Sequence, residues 1–143
     1  MGTPEYDQNR YTIPYDDADI KDQHSLFRYI DIIRNCDDGK ISSGAFGTSS
    51  KKRAGPNPGM STDWKESIES SGQDLFYRVK PEEIVAELNV QFLRQISKNV
   101  MVGQTPDNDH NNPHHTDVWG VKNHGRKMRG HATYHLKSRI PLS

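Results

Sequence analysis

Apolar and polar residues alternate like a strand in one part of the chain and repeat like a helix in another. Residues 26–35 (LFRYIDIIRN) alternate and are rich in aromatic and β-branched side chains, which predicts a strand. Residues 81–96 begin with Pro-Glu-Glu and then place large apolar residues four apart, which predicts a helix. Those apolar residues are Ile84, Leu88, Phe92 and Ile96. Alternatively, Asn89-Val90 marks a break, with a strand before it.

Shorter patterns predict the remaining elements. Residues 76–79, 99–103 and 116–122 are predicted as strands. A short helix is predicted within WKESIESSG, capped by Ser61 or Thr62, and a last helix over 126–139. These elements do not alternate regularly. The order therefore predicts an α+β fold: a single small domain with a mixed or antiparallel sheet of about four strands and about three helices.

Two segments show neither the alternation typical of a strand nor the spacing typical of a helix. Residues 1–23 are acidic and contain three tyrosines, so we expect a flexible arm that docks by these tyrosines on another surface. Residues 40–62 form a long polar loop, rich in glycine, of a kind that is often functional. The single α+β domain is therefore assigned to residues 24–143.

Composition narrows the class of protein. The chain has 143 residues, 31% of them hydrophobic, and a mean hydropathy of −0.94, which indicates one domain with a small core. Nineteen basic and nineteen acidic residues give zero net charge, which argues against a general polyanion binder. Residues 1–23 carry six acids and two bases, whereas residues 122–143 carry six bases and no acid. These ends can attract each other, within the chain or between copies.

The cysteine content and the apolar runs of the sequence indicate where in the cell the protein is expected. The single cysteine, Cys36, allows no internal disulfide, so we expect a cytoplasmic protein. No apolar run approaches the ~20 residues of a membrane span, so we expect no membrane association.

The stretch 106–120 (PDNDHNNPHHTDVWG) is the strongest candidate for chemistry. A strand would direct His115, Asp117 and Trp119 to the same face, because side chains alternate with a period of two. We predict His115 and Asp117 as an acid–base catalytic pair and Trp119 as a ligand-binding platform beside them. The alternative is a loop that uses Asn, Asp and Pro for its turns, with Trp119 in the core.

The remaining histidines raise the question of a metal. His131 and His135 are four apart and would share a face of the last predicted helix, where His110 or His114 could add a ligand. The pair lacks the glutamate of a His-Glu-x-x-His motif. We therefore expect structural or solvated histidines and no metal site, although the sequence leaves the metal content open.

Two further features indicate anion binding. The segment 42–53 (SSGAFGTSSKKR) combines hydroxyls, glycines and bases, and from it we predict Ser42, Ser43 and Lys51 as ligand-binding residues. It contains no Walker motif, and a mobile solvated loop is the alternative. Arg28 alternates with inward-facing apolar residues, so it needs a partner, which is Asp117, an acid of residues 1–23 or an anionic ligand. At an open sheet edge it would instead extend to solvent.

Several fragments, in order, resemble a family of small uncharacterised bacterial proteins across roughly residues 26–122. The fragments are LFRYI (26–30), SSGAF (42–46), GMSTD (59–63), VAEL (85–88), TPDN (105–108) and HTDVWG (115–120). The resemblance implies a single-domain bacterial protein in which Arg28, Ser43, Phe46 and His115 are site positions. Residues 109–114 depart from it as an insertion, which favours His115 over His110 and His114.

Three functions remain open at this point. The first is a nucleotide- or phosphate-ligand-binding domain, with or without enzymatic acid–base chemistry by His115 and Asp117. The second is a non-catalytic protein–protein interaction module of a larger assembly, mobile element or defence system, which contacts a partner or a second copy through the acidic arm and basic C-terminal helix. The third is a nucleic-acid binder that uses the basic loop and that helix. The sequence specifies no cofactor.

Overall fold

A computed structural model describes residues 3–49 and 55–136 of the chain. The strands within these residues are β1 (Glu5–Tyr6), β2 (Thr12–Ile13), β3 (Ser25–Asp31), β4 (Cys36–Asp37), β5 (Lys40–Ile41), β6 (Met60–Trp64), β7 (Glu83–Asn89), β8 (Met101–Gln104), β9 (His115–Trp119) and β10 (Thr133–His135). The α-helices are α1 (Lys65–Ser70), α2 (Val90–Ile96) and α3 (Gly125–His131). Two 3₁₀ helices span Ser43–Phe46 and Asn108–His110.

Six strands form one sheet in the order β10-β7-β3-β6-β9-β8, and every adjacent pair is antiparallel. Strands β1 and β2 pair separately, as do β4 and β5. The predicted α+β class and the three helices are confirmed for the described residues. The predicted number of strands, about four, was too low, because the main sheet alone has six.

Several predicted elements were wrong, and the reasons are local. Residues 83–89 form the central strand β7, and the helix begins only at Val90, so the alternative break at Asn89 is the correct interpretation. The side chain of Asn89 accepts a hydrogen bond from the N–H of Phe92 and caps α2. Residues 76–79 lie in turns instead of a strand, and the last helix ends at His131. Trp64, and not Ser61 or Thr62, precedes α1.

The two faces of the sheet carry two unequal hydrophobic clusters. The larger contains Leu26 and Ile30 of β3, and α2, α3 and the first 3₁₀ helix contribute Leu93, Met128 and Phe46 to it. The smaller contains Phe27 of the same strand together with three other buried residues, namely Ile68, Val79 and Val85. Alternating residues of β3 therefore serve both clusters, which places this strand in the middle of the fold.

Residues 16–22 are bound to the edge strand β8 and to α2. The N–H of Asp17 donates to the carbonyl of Val102, and the N–H of Val102 donates to Oδ1 of Asp16, at 2.8 and 3.0 Å. Arg94 of α2 forms ion pairs with Asp16 and Asp22, at 3.2 and 2.9 Å. The acidic segment thus pairs with a basic residue of the domain itself. Within the described residues, no helix is long and apolar enough to span a membrane.

The aspartate at this edge gives a first prediction. In Asp16→Ala, the N–H of Val102 loses its acceptor and Arg94 loses one ion pair. Amide exchange at Val102 should therefore accelerate about tenfold, which corresponds to a decrease of roughly 1.4 kcal/mol in the free energy of local opening. Hydrogen exchange followed by NMR measures this. Glu5→Ala is the control, since Glu5 is exposed on β1 and should leave exchange at Val102 unchanged. Equal exchange in Asp16→Ala and wild type would show that the contact does not protect the strand.

Candidate functional site

Strands β3 and β6 pair at one end and separate beyond it. Their register contains Leu26 opposite Trp64 and Phe27 opposite Asp63. Beyond this point, a cavity of about 420 Å³ is lined by residues of both strands, of β7 and β9, and of two loops. Its lining consists of Arg28, Tyr29, Ser61, Thr62, Asp63, Arg78, Lys80, Glu83, Asn112 and His115. We call it the Arg28–His115 cavity. It brings together two residues that the sequence predicted as site positions.

Arg28 crosses the space between the two strands. Its Nε donates to the carbonyl of Ala45 and its NH1 to the carbonyl of Ser61, at 3.0 and 2.9 Å, while NH2 lies 3.4 Å from the carbonyl of Gly47. Burial lowers the pKa of the guanidinium, against the attraction of Glu83. Among the described residues no carboxylate forms an ion pair with Arg28, so neither Asp117 nor an acid of residues 3–23 is its partner. Neutral carbonyls hold this cation in place.

A buried carboxylate lies beside it. Asp63 is only 2% exposed, and its Oδ1 accepts from Nδ2 of Asn112 at 2.7 Å. Its Oδ2 accepts from the hydroxyl of Tyr29 at 2.8 Å and lies 3.3 Å from Nε of Arg78. Burial, together with the negative charge of Asp63, raises the pKa of Tyr29, so its hydroxyl remains a donor. Asp63 therefore connects three segments that are distant in the sequence.

Thr105 determines which ring nitrogen of His115 carries a proton. The hydroxyl of Thr105 donates to Oδ2 of Asp117 at 2.9 Å. Nδ1 of His115 lies 2.9 Å from that hydroxyl oxygen and 3.0 Å from the carbonyl oxygen of Thr105. Both oxygens can accept, so this network assigns the proton to Nδ1. Nε2 then carries a lone pair, and within the described residues it has no hydrogen-bond partner.

The side chains of His115 and Asp117, predicted as an acid–base pair, are connected through the hydroxyl of Thr105. The two side chains and Trp119 lie on one face of β9, while Thr116 and Val118 are buried on the other. Asp117 lines a separate cavity of about 150 Å³ together with Trp119. Burial raises the pKa of Asp117, although His115 and the hydrogen bond from Thr105 lower it.

The other predicted ligand-binding residues lie elsewhere. Oγ of Ser42 accepts from the N–H of Gly44 and caps the first 3₁₀ helix. Ser43 and Phe46 line a cavity of about 440 Å³, and Trp119 lines another of about 450 Å³. Lys51 lies outside the described residues. Of the predicted site residues, Arg28 and His115 line the Arg28–His115 cavity, and the other described ones line further cavities.

His114 occupies a buried structural position. Its Nε2 lies 3.1 Å from Oε1 of Gln73 and its Nδ1 lies 2.7 Å from Oγ of Ser67. The amide oxygen can only accept, so Nε2 carries the proton and Nδ1 accepts from the serine hydroxyl. Burial lowers the pKa of His114, against the attraction of Asp63.

The remaining histidines bind separate partners. His110 pairs with Asp107 and His135 with Glu87, each at 2.8 Å. His131 stacks on a phenylalanine ring with centroids 3.8 Å apart. Because α3 ends at His131 and His135 lies on β10, the predicted shared helical face does not form. No group of three or more His, Cys, Asp or Glu residues within the described ranges could hold a metal ion.

Sequence reasoning missed the partners that position the site. Tyr29, Asp63, Arg78 and Asn112 meet only in three dimensions, and residues 76–79 were interpreted as a strand. Thr105 reaches His115 because the N–H of Thr105 donates to the carbonyl of His115 just beyond the β8–β9 ladder. The sequence could have indicated only Asp63, because this charged residue lies in the segment MSTDW, which has apolar residues at both ends.

The buried carboxylate gives a second prediction. Asp63→Ala leaves Arg78 and two hydroxyl or amide donors without their acceptor, which should reduce the free energy of unfolding by about 3–5 kcal/mol. Urea denaturation measures the loss. Glu69→Ala, on the exposed side of α1, should stay within about 0.5 kcal/mol of wild type. A loss below about 1 kcal/mol in Asp63→Ala would contradict the network described above.

His114 gives a prediction for pH. Its lowered pKa means that the unfolded chain binds more protons, so this contribution to stability is complete above the ordinary histidine pKa of about 6.5 and is lost as pH falls through the folded pKa. The denaturation midpoint should therefore decrease from pH 7 to pH 5. In His114→Gln the decrease should be smaller but still present, because burial also lowers the pKa of His131. His110→Gln, at an exposed position, is the control; an identical decrease in His114→Gln and wild type would refute the assignment.

Comparisons with protein-family models, with curated proteins and with solved structures give no significant match for this chain.

Proposed function

We propose that the protein binds a small phosphorylated ligand in the Arg28–His115 cavity and that Nε2 of His115 exchanges a proton with it. One observation carries this proposal. His115 lines a polar cavity that contains three cationic groups. Its Nε2 has no hydrogen-bond partner among the described residues. A cavity of about 420 Å³ is within the usual range for small-molecule sites.

The charges in the cavity favour an anion. Arg28, Arg78 and Lys80 supply three positive charges, whereas Asp63 and Glu83 supply two negative ones. Asp63 is already occupied by its hydrogen bonds and by Arg78. Arg28 uses three of its five N–H groups on backbone carbonyls, which leaves two for a ligand. A phosphate oxygen would accept from these donors in charge-assisted hydrogen bonds.

The fixed tautomer of His115 supports acid–base chemistry. With the proton on Nδ1, the lone pair on Nε2 can accept a proton from a ligand hydroxyl or from water. Thr105 orients the ring, and Asp117 accepts the threonine hydroxyl proton in turn. This arrangement resembles the base and orienting group of acid–base enzymes, with a threonine inserted between them. The proposal assigns proton transfer to His115 and orientation to Thr105 and Asp117.

The other two functions have less support. An interaction through the acidic arm would compete with the ion pairs that Arg94 forms with Asp16 and Asp22. Nucleic-acid binding was predicted for the basic residues of 51–53 and of the helix 126–139. Lys51, Lys52, Arg53, Lys137 and Arg139 lie outside the described residues. The phosphorylated-ligand function therefore has the most support.

Calorimetric titration with phenyl phosphate tests ligand binding. Lys80→Gln removes an exposed cation from the cavity rim, so affinity should decrease about three- to tenfold, and added salt should weaken binding further. Lys98→Gln is the matched control, because Lys98 is equally exposed but lies outside the cavity. Equal affinity in the two variants, or no binding heat with wild type, would exclude the proposed site.

His115→Asn tests the role of the ring nitrogen. The asparagine amide can still donate to Thr105 where Nδ1 did, but no group replaces Nε2. We expect stability close to wild type, and the imidazole signal that is missing from the variant assigns His115 in the wild-type NMR spectrum. Phenyl phosphate should shift this signal in the wild-type protein. Thr105→Val should retain ligand binding, and the backbone carbonyl of residue 105 should still hold the proton on Nδ1. A His115 signal in wild type that does not respond to the ligand would contradict direct proton exchange.

A further inference from the structure

We propose that a second groove, separate from the Arg28–His115 cavity, binds a nucleoside phosphate. Two cavities of about 450 and 440 Å³ lie side by side and share Thr48 and Lys122 in their linings, so they form one continuous groove. One part is mainly apolar and the other carries only positive charge. We call this the Trp119–Arg126 groove.

The apolar part suits a planar base. Trp119 is 4% exposed and forms part of its lining with Met101, Pro14 and Pro58. The indole is held in place, because its Nε1 donates to the carbonyl of Asn57 at 3.1 Å and the ring of Tyr15 lies 6.1 Å away. Only a small part of the indole reaches the groove, so a nucleobase would contact it together with Pro14, Pro58 and Met101 on one rigid apolar surface, at little cost in side-chain entropy.

Amide groups at the edge of this part supply polar recognition. Asn57 and Asn99 both line it and are exposed. An asparagine side chain offers two donors and one acceptor oxygen, which match the mixed donors and acceptors on the edge of a base. The backbone at this point is held closely: Gly120 has a φ of +85°, and a Cβ there would lie 2.4 Å from the carbonyl oxygen of Asn99.

The basic part suits phosphate. Lys122 and Arg126 line it, and Ser43 and Thr48 add hydroxyls. Among the residues that the structure describes, no Asp or Glu lines either part of the groove. Within the described residues, neither cation forms an ion pair and neither hydroxyl forms a hydrogen bond. Their charges and donors are therefore available to an anion.

A glycine allows the two walls of the basic part to approach. At Gly125, the first residue of α3, a Cβ would lie 2.3 Å from the carbonyl oxygen of Ser43. Any side chain at this position would push the 3₁₀ helix away from α3. The close approach keeps the hydroxyl-bearing segment and Arg126 on the lining of the same cavity.

The two parts together specify the class of ligand. Inorganic phosphate would use only the basic part, and an apolar molecule only the other. A nucleoside phosphate has a planar base at one end and charge at the other, in the order that the groove presents. The chain has zero net charge, which favours a mononucleotide over a nucleic-acid polymer.

Tryptophan fluorescence can report occupancy directly. The chain has two tryptophans, and Trp64 packs against His24 outside the groove, so Trp64→Phe leaves Trp119 as the single reporter. ADP should change the emission of this variant in a saturable way. Adenosine and inorganic phosphate should each bind about tenfold or more weakly than ADP, since each uses one part of the groove.

Charge variants locate the site. The double variant Lys122→Gln/Arg126→Gln should weaken ADP binding about tenfold or more. Lys127→Gln is the matched control, because Lys127 is exposed on α3 but lines neither part. Lys80→Gln and His115→Asn, in the other cavity, should leave ADP affinity unchanged. The proposal is overturned if wild type shows no saturable binding of ADP, if the double variant binds ADP like wild type, or if only the variants in the Arg28–His115 cavity weaken it.

Discussion

The divergence of β3 from β6 is the constraint on which the candidate site depends. Paired strands satisfy each other's backbone groups, so a gap in the middle of a sheet would leave buried carbonyls without donors. Arg28 resolves this, because its guanidinium donates to the carbonyl of Ser61 across the gap and to Ala45 of the adjoining 3₁₀ helix. A neutral side chain of similar length could not supply several donors in one plane. The arginine thus keeps open a space that apolar packing would otherwise close.

Asp63 completes this arrangement from the other strand. It lies opposite Phe27, at the last paired position, and draws Tyr29, Arg78 and Asn112 towards it. These side chains come from a strand and two loops, so their positions depend on one carboxylate. Arg28 and Asp63 do not pair with each other in an ion pair. The side chain of each has its own hydrogen-bond partners. The polar groups that line the cavity between the two networks therefore have defined positions, as ligand binding to a preorganised site requires.

The sequence predicted those parts of the site that depend on local alternation. The strand-like pattern of residues 26–35 placed Arg28 on the face of Leu26 and Ile30, and the pattern of 115–119 placed His115, Asp117 and Trp119 on one face, as the burial pattern of β9 shows. It failed where pairing is non-local. Strand β7 is buried on both faces, so its apolar residues run together and mimic helical spacing. Strand β6 carries three consecutive polar residues, Ser61, Thr62 and Asp63, which line the cavity, and this run made it look like a helix cap. The contact between Thr105 and His115 depends on the β8–β9 register and has no local signature.

The two proposed sites lie at opposite ends of strand β9. His115 lies at its start beside the Arg28–His115 cavity, and Trp119 lies at its end beside the groove, four residues or roughly 13 Å away at the rise of a strand. The basic part of the groove lies beyond Trp119 again, next to α3. A nucleoside phosphate bound there would hold its phosphates on the far side of the base from His115, out of reach of Nε2. Because β9 is paired on both sides, with β6 and β8, neither end can shift without breaking a ladder. Two ligands bound at these sites would therefore occupy one rigid strand as separate molecules, and proton exchange at His115 would involve only the ligand in its own cavity.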